Sequence, residues 1–203
     1  LSLVTDALSI HDSRDPHSIA APRPSCFQGV CSEPPMDPNF AILTLPYSQL
    51  QSKACTEGFR ELADALEGQV EILEAPPMFE ELIRAHRVIH LTEAYRAFDR
   101  LGFIESPHLS NILADMLEEG KNFAQNEYEE ALDIRASVES FFQSFFEDFD
   151  AILSPSASGE APLLNEGHTG NPIFCTVWTL AGLPTLNLPI MRGENGLPIG
   201  LQM

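Results

Sequence analysis

Three side chains stand at spacings that could hold a metal. His86, His90 and Glu93 fall at i, i+4 and i+7, so on a helix they share one face. Two imidazoles and a carboxylate suit zinc or iron. The run from His86 to His90 lacks the internal glutamate of an HExxH site, however. Glu105 and His108 have the spacing of a second ligand pair, but Pro107 between them breaks the helix that would present it. The three residues read as a packed or solvated helix face, and neither a metal nor any other cofactor is expected.

The remaining reactive side chains do not form a set. The carboxylate pairs Glu80-Glu81, Glu118-Glu119, Glu129-Glu130 and Glu147-Asp148 are neighbours in sequence, and neighbours on a helix point apart. General acid–base work needs two carboxyls across a cleft in unlike environments. Ser154, Ser156 and Ser158 flank Pro155 as a strand-to-loop turn, with no GxSxG and no Gly-Gly in the chain to build an oxyanion hole. The two lysines, Lys53 and Lys121, sit in polar contexts that do not lower an ammonium pKa. Cys26, Cys31, Cys55 and Cys175 are scattered without a CxxC, as reduced thiols of a cytoplasmic protein would be. No catalytic residue is nominated.

The elements that must position any site come next. The chain has 203 residues, enough to bury about 70% of its unfolded surface without staples. Thirty Asp and Glu against 11 Lys and Arg give a formal charge of −19, which repels a phosphate backbone or an anionic membrane surface. Neither nucleic acid nor membrane is therefore expected as a partner, and the charge leaves a small molecule or a second protein, a homodimer included. The charge-free stretch from Thr169 to Met191 contains Pro172, Pro184 and Pro189 and reads as buried core rather than a membrane span.

Residues 1–38 read as a helix end (Leu1 to Ser9) followed by a Pro-rich loop whose prolines preclude a continuous helix. Residues 39–78 read as strand, helix, strand: the apolar run Phe40 to Leu45, helical spacing from Ser48 to Leu66 with Gly68 as a stop, then Val70 to Leu73. That order predicts a βαβ-like unit. Residues 79–150 are helical in pattern, with breaks expected near Gly102–Pro107 and near Gly120. Residues 151–203 read as late strands, with Arg192-Gly193-Glu194-Asn195-Gly196 as a hairpin-type turn. Apolar residues at both termini give the chain the look of a cut segment.

These late residues carry a resemblance. Asp150-Ala151-Ile152-Leu153-Ser154-Pro155 followed by Ala161-Pro162, then Asn171-Pro172-Ile173-Phe174 and Trp178-Thr179-Leu180-Ala181-Gly182-Leu183-Pro184, resemble segments of the amidase signature family. Leu188-Pro189-Ile190 and Gly196-Leu197-Pro198-Ile199-Gly200-Leu201-Gln202 are similar to its closing motif, and Asp12, Asp15, Pro16 and Ser18 to a loop downstream of its nucleophile. The resemblance covers the chain, strongly in the last quarter and weakly in the helical middle.

It implies an α/β fold, part of an α/β/α sandwich around a mixed central sheet, with the N-terminal catalytic half absent. It also implies hydrolysis of an amide to an acid and ammonia or an amine by a Ser–cis-Ser–Lys arrangement. The Gly/Ser-rich motif that carries those groups does not occur here, so the chain alone is expected to be inactive and, with cut sheet edges, poorly stable. The implied contribution is a substrate-binding wall: Asn171, Phe174, Val177 and Trp178, an apolar lining for a small-molecule amide. The glutamyl-tRNA amidotransferase A subunits of the family carry an Asp where Pro172 stands, which favours a stand-alone amidase over that alternative. A catalytically dead binding module is the other alternative.

Overall fold

The computed structural model describes residues 1–15, 18–23 and 25–203. Pro16 of the loop motif lies outside them. The described residues gather into two units, Leu1–Pro38 and Asn39–Met203.

In the first unit the expected helix end is α1 (Ser2–Leu8), and the Pro-rich stretch holds a five-residue helix, α2 (Cys26–Val30). Two caps make so short a helix viable. Ser25 Oγ accepts from the N–H of Gln28, and the Asp6 carboxylate reaches back to accept from Phe27 and Cys26 at 3.0 and 2.7 Å. These backbone hydrogen bonds, Phe27 first, hold the Asp6 carboxyl below the usual carboxylate range. The cap contributed from 20 residues upstream leaves no local signal, so Ser25 alone marks in sequence a helix that the loop reading missed.

The second unit is built on a five-stranded sheet in the order β2-β1-β3-β5-β4. β1 (Phe40–Thr44), β2 (Val70–Glu74) and β3 (Ala151–Pro155) run parallel; β5 (Pro198–Gln202) pairs antiparallel with both β3 and β4 (Asn187–Arg192). The expected strand–helix–strand is a parallel crossover through α3 (Lys53–Ala65), whose N-terminus is capped by Ser52 Oγ accepting from Cys55 N–H. Cys55, Phe59 and Leu62 recur at helical spacing and pack on Ile42, Leu153, Ile199 and Leu201.

The opposite face of the sheet carries a helical layer. It comprises α4 (Phe79–Arg100), α5 (Asn111–Asn122), α6 (Gln125–Phe145) and α7 (Ile173–Ala181). Successive residues of a strand face opposite ways, so Leu43 and Ile152 meet this layer while Ile42 and Leu153 meet α3. The core here is aromatic: Phe142 lies 5.9 Å from Phe79 and 5.8 Å from Trp178, centroid to centroid.

The break near Gly102–Pro107 falls between α4 and α5, as expected. The break expected near Gly120 falls just beyond it, and Gly120 itself is helical. It sits buried inside α5 where that helix crosses α4, and a Cβ there would collide with the backbone carbonyl of Leu91. The chain instead turns at Phe123–Ala124, where the Glu127 carboxylate accepts from Ala124 N–H to start α6.

Candidate active-site wall

The Asn171–Pro184 stretch forms α7 and its two ends. Asn171 Oδ1 accepts from the N–H of Ile173 at 3.0 Å, a side-chain cap on the first turn. At the far end Gly182 adopts φ +67°, and Leu183 N–H reaches back to the carbonyl of Trp178 at 3.0 Å. That left-handed glycine stop is what the Ala181-Gly182-Leu183-Pro184 sequence encodes.

Between its ends α7 is clamped to the sheet. Gln202 of β5 is buried and donates from Nε2 to Ser154 Oγ (3.3 Å) and to the carbonyl oxygen of Phe174 (3.2 Å). Cys175 Sγ donates to the carbonyl of Ser156, just past the end of β3, at 3.4 Å. Burial pushes the Cys175 thiol up, so it stays protonated at neutral pH and is no nucleophile.

Three cavities border α7. The first, about 460 Å³, opens beyond the carboxyl end of β3, between the loops Ser156–Pro162 and Thr169–Pro172. Open α/β sheets bind ligands beyond the carboxyl ends of their parallel strands, and this cavity has that position. The second, about 440 Å³, shares Asn171 and Pro172 with the first and is walled across from them by His86 and His90 of α4. The third, about 360 Å³, lies at the opposite end of α7 against Trp178, Phe146, Ile152 and Leu183.

The four wall residues are divided among these surroundings. Asn171 is exposed on the rim shared by the first two cavities. Phe174 and Val177 are fully buried and line none of the three; Phe174 meets Tyr47 edge-on at 5.4 Å. Trp178 lines the third cavity, 4% exposed, and its indole Nε1 has no hydrogen-bond partner among the described residues. Positions 174, 177 and 178 form an i, i+3, i+4 stripe, which on a helix laid over a sheet is the buried stripe.

The other chemistry-bearing residues are dispersed. Glu93 accepts from Tyr128 of α6, whereas His86 and His90 face α7, so the helix face splits between two neighbours. Among the described residues no three His, Cys, Asp or Glu side chains gather as a metal site. Lys53 and Lys121 are exposed beside Glu57 and Glu118. Ser154 accepts from Gln202, and Ser156 Oγ donates to Gly200 O at 3.2 Å. A serine–histidine hydrogen bond joins Ser18 Oγ to His11 Nδ1 at 3.0 Å on an exposed loop, but the neighbouring Asp12 carboxylate is taken by Arg14 rather than by His11.

Sequence reasoning singled out His86 and His90 without seeing that Asn171 and Cys175 share their cavity. Only the crossing of α4 and α7 brings them together. Among the described residues no helix is long and apolar enough to cross a membrane.

The A subunit of glutamyl-tRNA(Gln) amidotransferase from Brevibacillus brevis is 30% identical over 128 residues, covering 60% of this chain and 26% of that protein. Its counterpart from Agathobacter rectalis is 38% identical over 82 residues, 37% of this chain and 16% of that one. Among solved structures, an inhibitor-bound vestigial complex bearing on the origins of an s-triazine catabolic enzyme superposes over 100% of this chain and 46% of its own, with a TM-score of 0.83 at 23% identity. The substrate complex of 6-aminohexanoate cyclic dimer hydrolase superposes over 99% of this chain and 48% of its own, with a TM-score of 0.74 at 18% identity. The chain thus spans less than half the length of each of these proteins. The superpositions carry the fold, a mixed sheet between helical layers as in amidase signature structures. A family model for amidases matches residues 1–203, and the chain belongs to the amidase family.

Proposed function

We propose that this chain supplies scaffold and one substrate-facing wall of an amide hydrolase whose nucleophile and lysine base lie outside residues 1–203. The observation that carries the reading is the placement of Asn171. It caps α7 and also stands on the rim of the cavity beyond the carboxyl ends of the parallel strands. The dispersal of lysines and serines described above supports the absence of a Ser–cis-Ser–Lys set within the chain. Acyl transfer would bring the carbonyl against this rim, with the nucleophile and oxyanion donors from the other side. Asn171 would contact the amide, while Phe174, Val177 and Trp178 would act by holding α7 in place.

The substrate class proposed is a small, uncharged aryl or aliphatic amide. Pro172 offers no charge for an α-amino group, and the chain's −19 suits a tRNA-bound complex poorly. A second reading, the A subunit of a glutamyl-tRNA amidotransferase, is favoured by the curated relatives.

The test is ammonia release from benzamide, propionamide and glutamine, by the 203-residue chain and by the chain extended with whatever precedes it in its gene. The expected result is no turnover by the chain alone and turnover of benzamide or propionamide, in preference to glutamine, by the extended form. Sustained turnover by the purified chain sinks the proposal. Glutamine preference selects the second reading.

A further inference from the structure

The cavity between α4 and α7 is walled by two imidazoles on one side and the first turn of α7 on the other. His86 and His90 lie one helical turn apart with ring centroids at 5.5 Å. His86 is half-buried, facing Cys175 and Thr176 across the cavity. On α4, Arg87 follows directly, and its guanidinium donates to Glu119 of α5 at 2.6 Å, so that carboxylate is already occupied. From α5 the cavity receives the neutral Met116, and from α7 the protonated Cys175 thiol. Among the described residues no carboxylate lines the cavity. The nearby end of α7 is its N-terminus, the positive end of a helix.

We propose that His86 is a proton-operated release for the α4–α7 contact. The uncharged His86 imidazole faces the first turn of α7 across the cavity, and its proton uptake drives that turn away and displaces Asn171 and Cys175. A His86 imidazolium there would face the helix N-terminus, with no carboxylate among the described lining residues to offset it. Burial, and then His90, already hold the His86 pKa below its ordinary 6.5. A histidine whose folded pKa is depressed contributes stability that is intact above 6.5. That contribution is lost as pH falls through 6.5 toward the folded value. The first effect of acid is therefore local, at the helix that carries the Asn171 rim.

Hydrogen exchange of the full chain at about pH 7.5 and about pH 5.5, corrected for intrinsic rates, tests this. Protection of the α7 amides is expected to fall, by at most about tenfold, the limit for one histidine one pH unit below 6.5, while α3 on the other face of the sheet keeps its protection. In His86→Gln the fall in α7 is expected to disappear. Unchanged α7 protection, an equal fall in α3, or persistence of the fall in His86→Gln overturns the proposal. Should His86→Gln fail to fold, the NMR titration of the wild-type His86 ring decides: a midpoint below that of an exposed histidine supports the proposal, and one at or above it overturns it.

Discussion

Gln202 and Phe174 are joined by a buried hydrogen bond, Nε2 to the backbone oxygen at 3.2 Å, which fastens the central helix of the proposed wall to strand β5. The same amide nitrogen reaches Ser154 Oγ at 3.3 Å, so one side chain ties β3, β5 and α7 together. Gln202→Met keeps the volume and loses both bonds. It is expected to destabilise the fold by about 1–3 kcal/mol, the usual cost of disrupting buried polar partners. An unchanged urea midpoint would show that the pair contributes nothing net.

Gly120→Ala is expected to reverse the ordinary helix rule. In a free helix the exchange stabilises by about 1 kcal/mol. Here the new methyl meets the Leu91 carbonyl, backbone that cannot swing aside, and α4 and α5 must separate. A loss of about 1–3 kcal/mol is expected. Thermal denaturation reads the sign directly, and a gain in stability would contradict the close crossing.

The Glu160 carboxylate accepts from the backbone N–H groups of Asn195 and Leu197 and from the Asn195 side chain, fastening the β4–β5 turn. Desolvation raises its pKa, but the hydrogen bonds from Asn195, Leu197 and Gly196 outweigh it, and the net position is below the ordinary 4.5. A depressed carboxylate contributes stability that is present above 4.5 and lost as pH falls through the folded pKa. The Asn195 and Leu197 amide resonances are expected to keep their positions down to pH 4.5 and to move only below it. Glu160→Gln should remove the movement. Movement centred above 4.5 is the contrary outcome.

Asn171→Ala removes the cap of α7 and is expected to cost about 1 kcal/mol. In an active, extended enzyme it should also raise KM for the amide more than it lowers kcat, as loss of ground-state contact does. Asn171→Ser separates the two roles. A serine restores the cap, so stability should return while KM stays high. Recovery of both would reduce Asn171 to a helix cap.

Much of the fold was legible because its signals are local. The parallel β1–α3–β2 crossover follows from apolar runs of strand length on either side of a helical stripe, and the Gly182 stop and the turn at residues 193–196 follow from glycine. Gly120 marked the region of the break but not its own role, since a glycine that breaks a helix and one that lets two helices touch look the same in sequence; only the neighbour at Leu91 tells them apart. Of the two caps of α2, only Ser25 is local; Asp6 lies 20 residues upstream and leaves no mark beside the helix.

The wall residues show the same division. Residue types and order alone determined the family motifs and the glycine turn after Ala181, because those depend on backbone preference and short-range hydrogen bonds, whereas α7 itself stands in a stretch read as late strands. Which side of that helix meets the sheet was decided by the packing of β3, β5 and α4 around it. Packing buried Phe174 and Val177, left Asn171 at one cavity and Trp178 at another, and brought His86 to the first turn of α7. A one-dimensional pattern specifies a stripe; the surface that the stripe covers exists only once distant segments have come together.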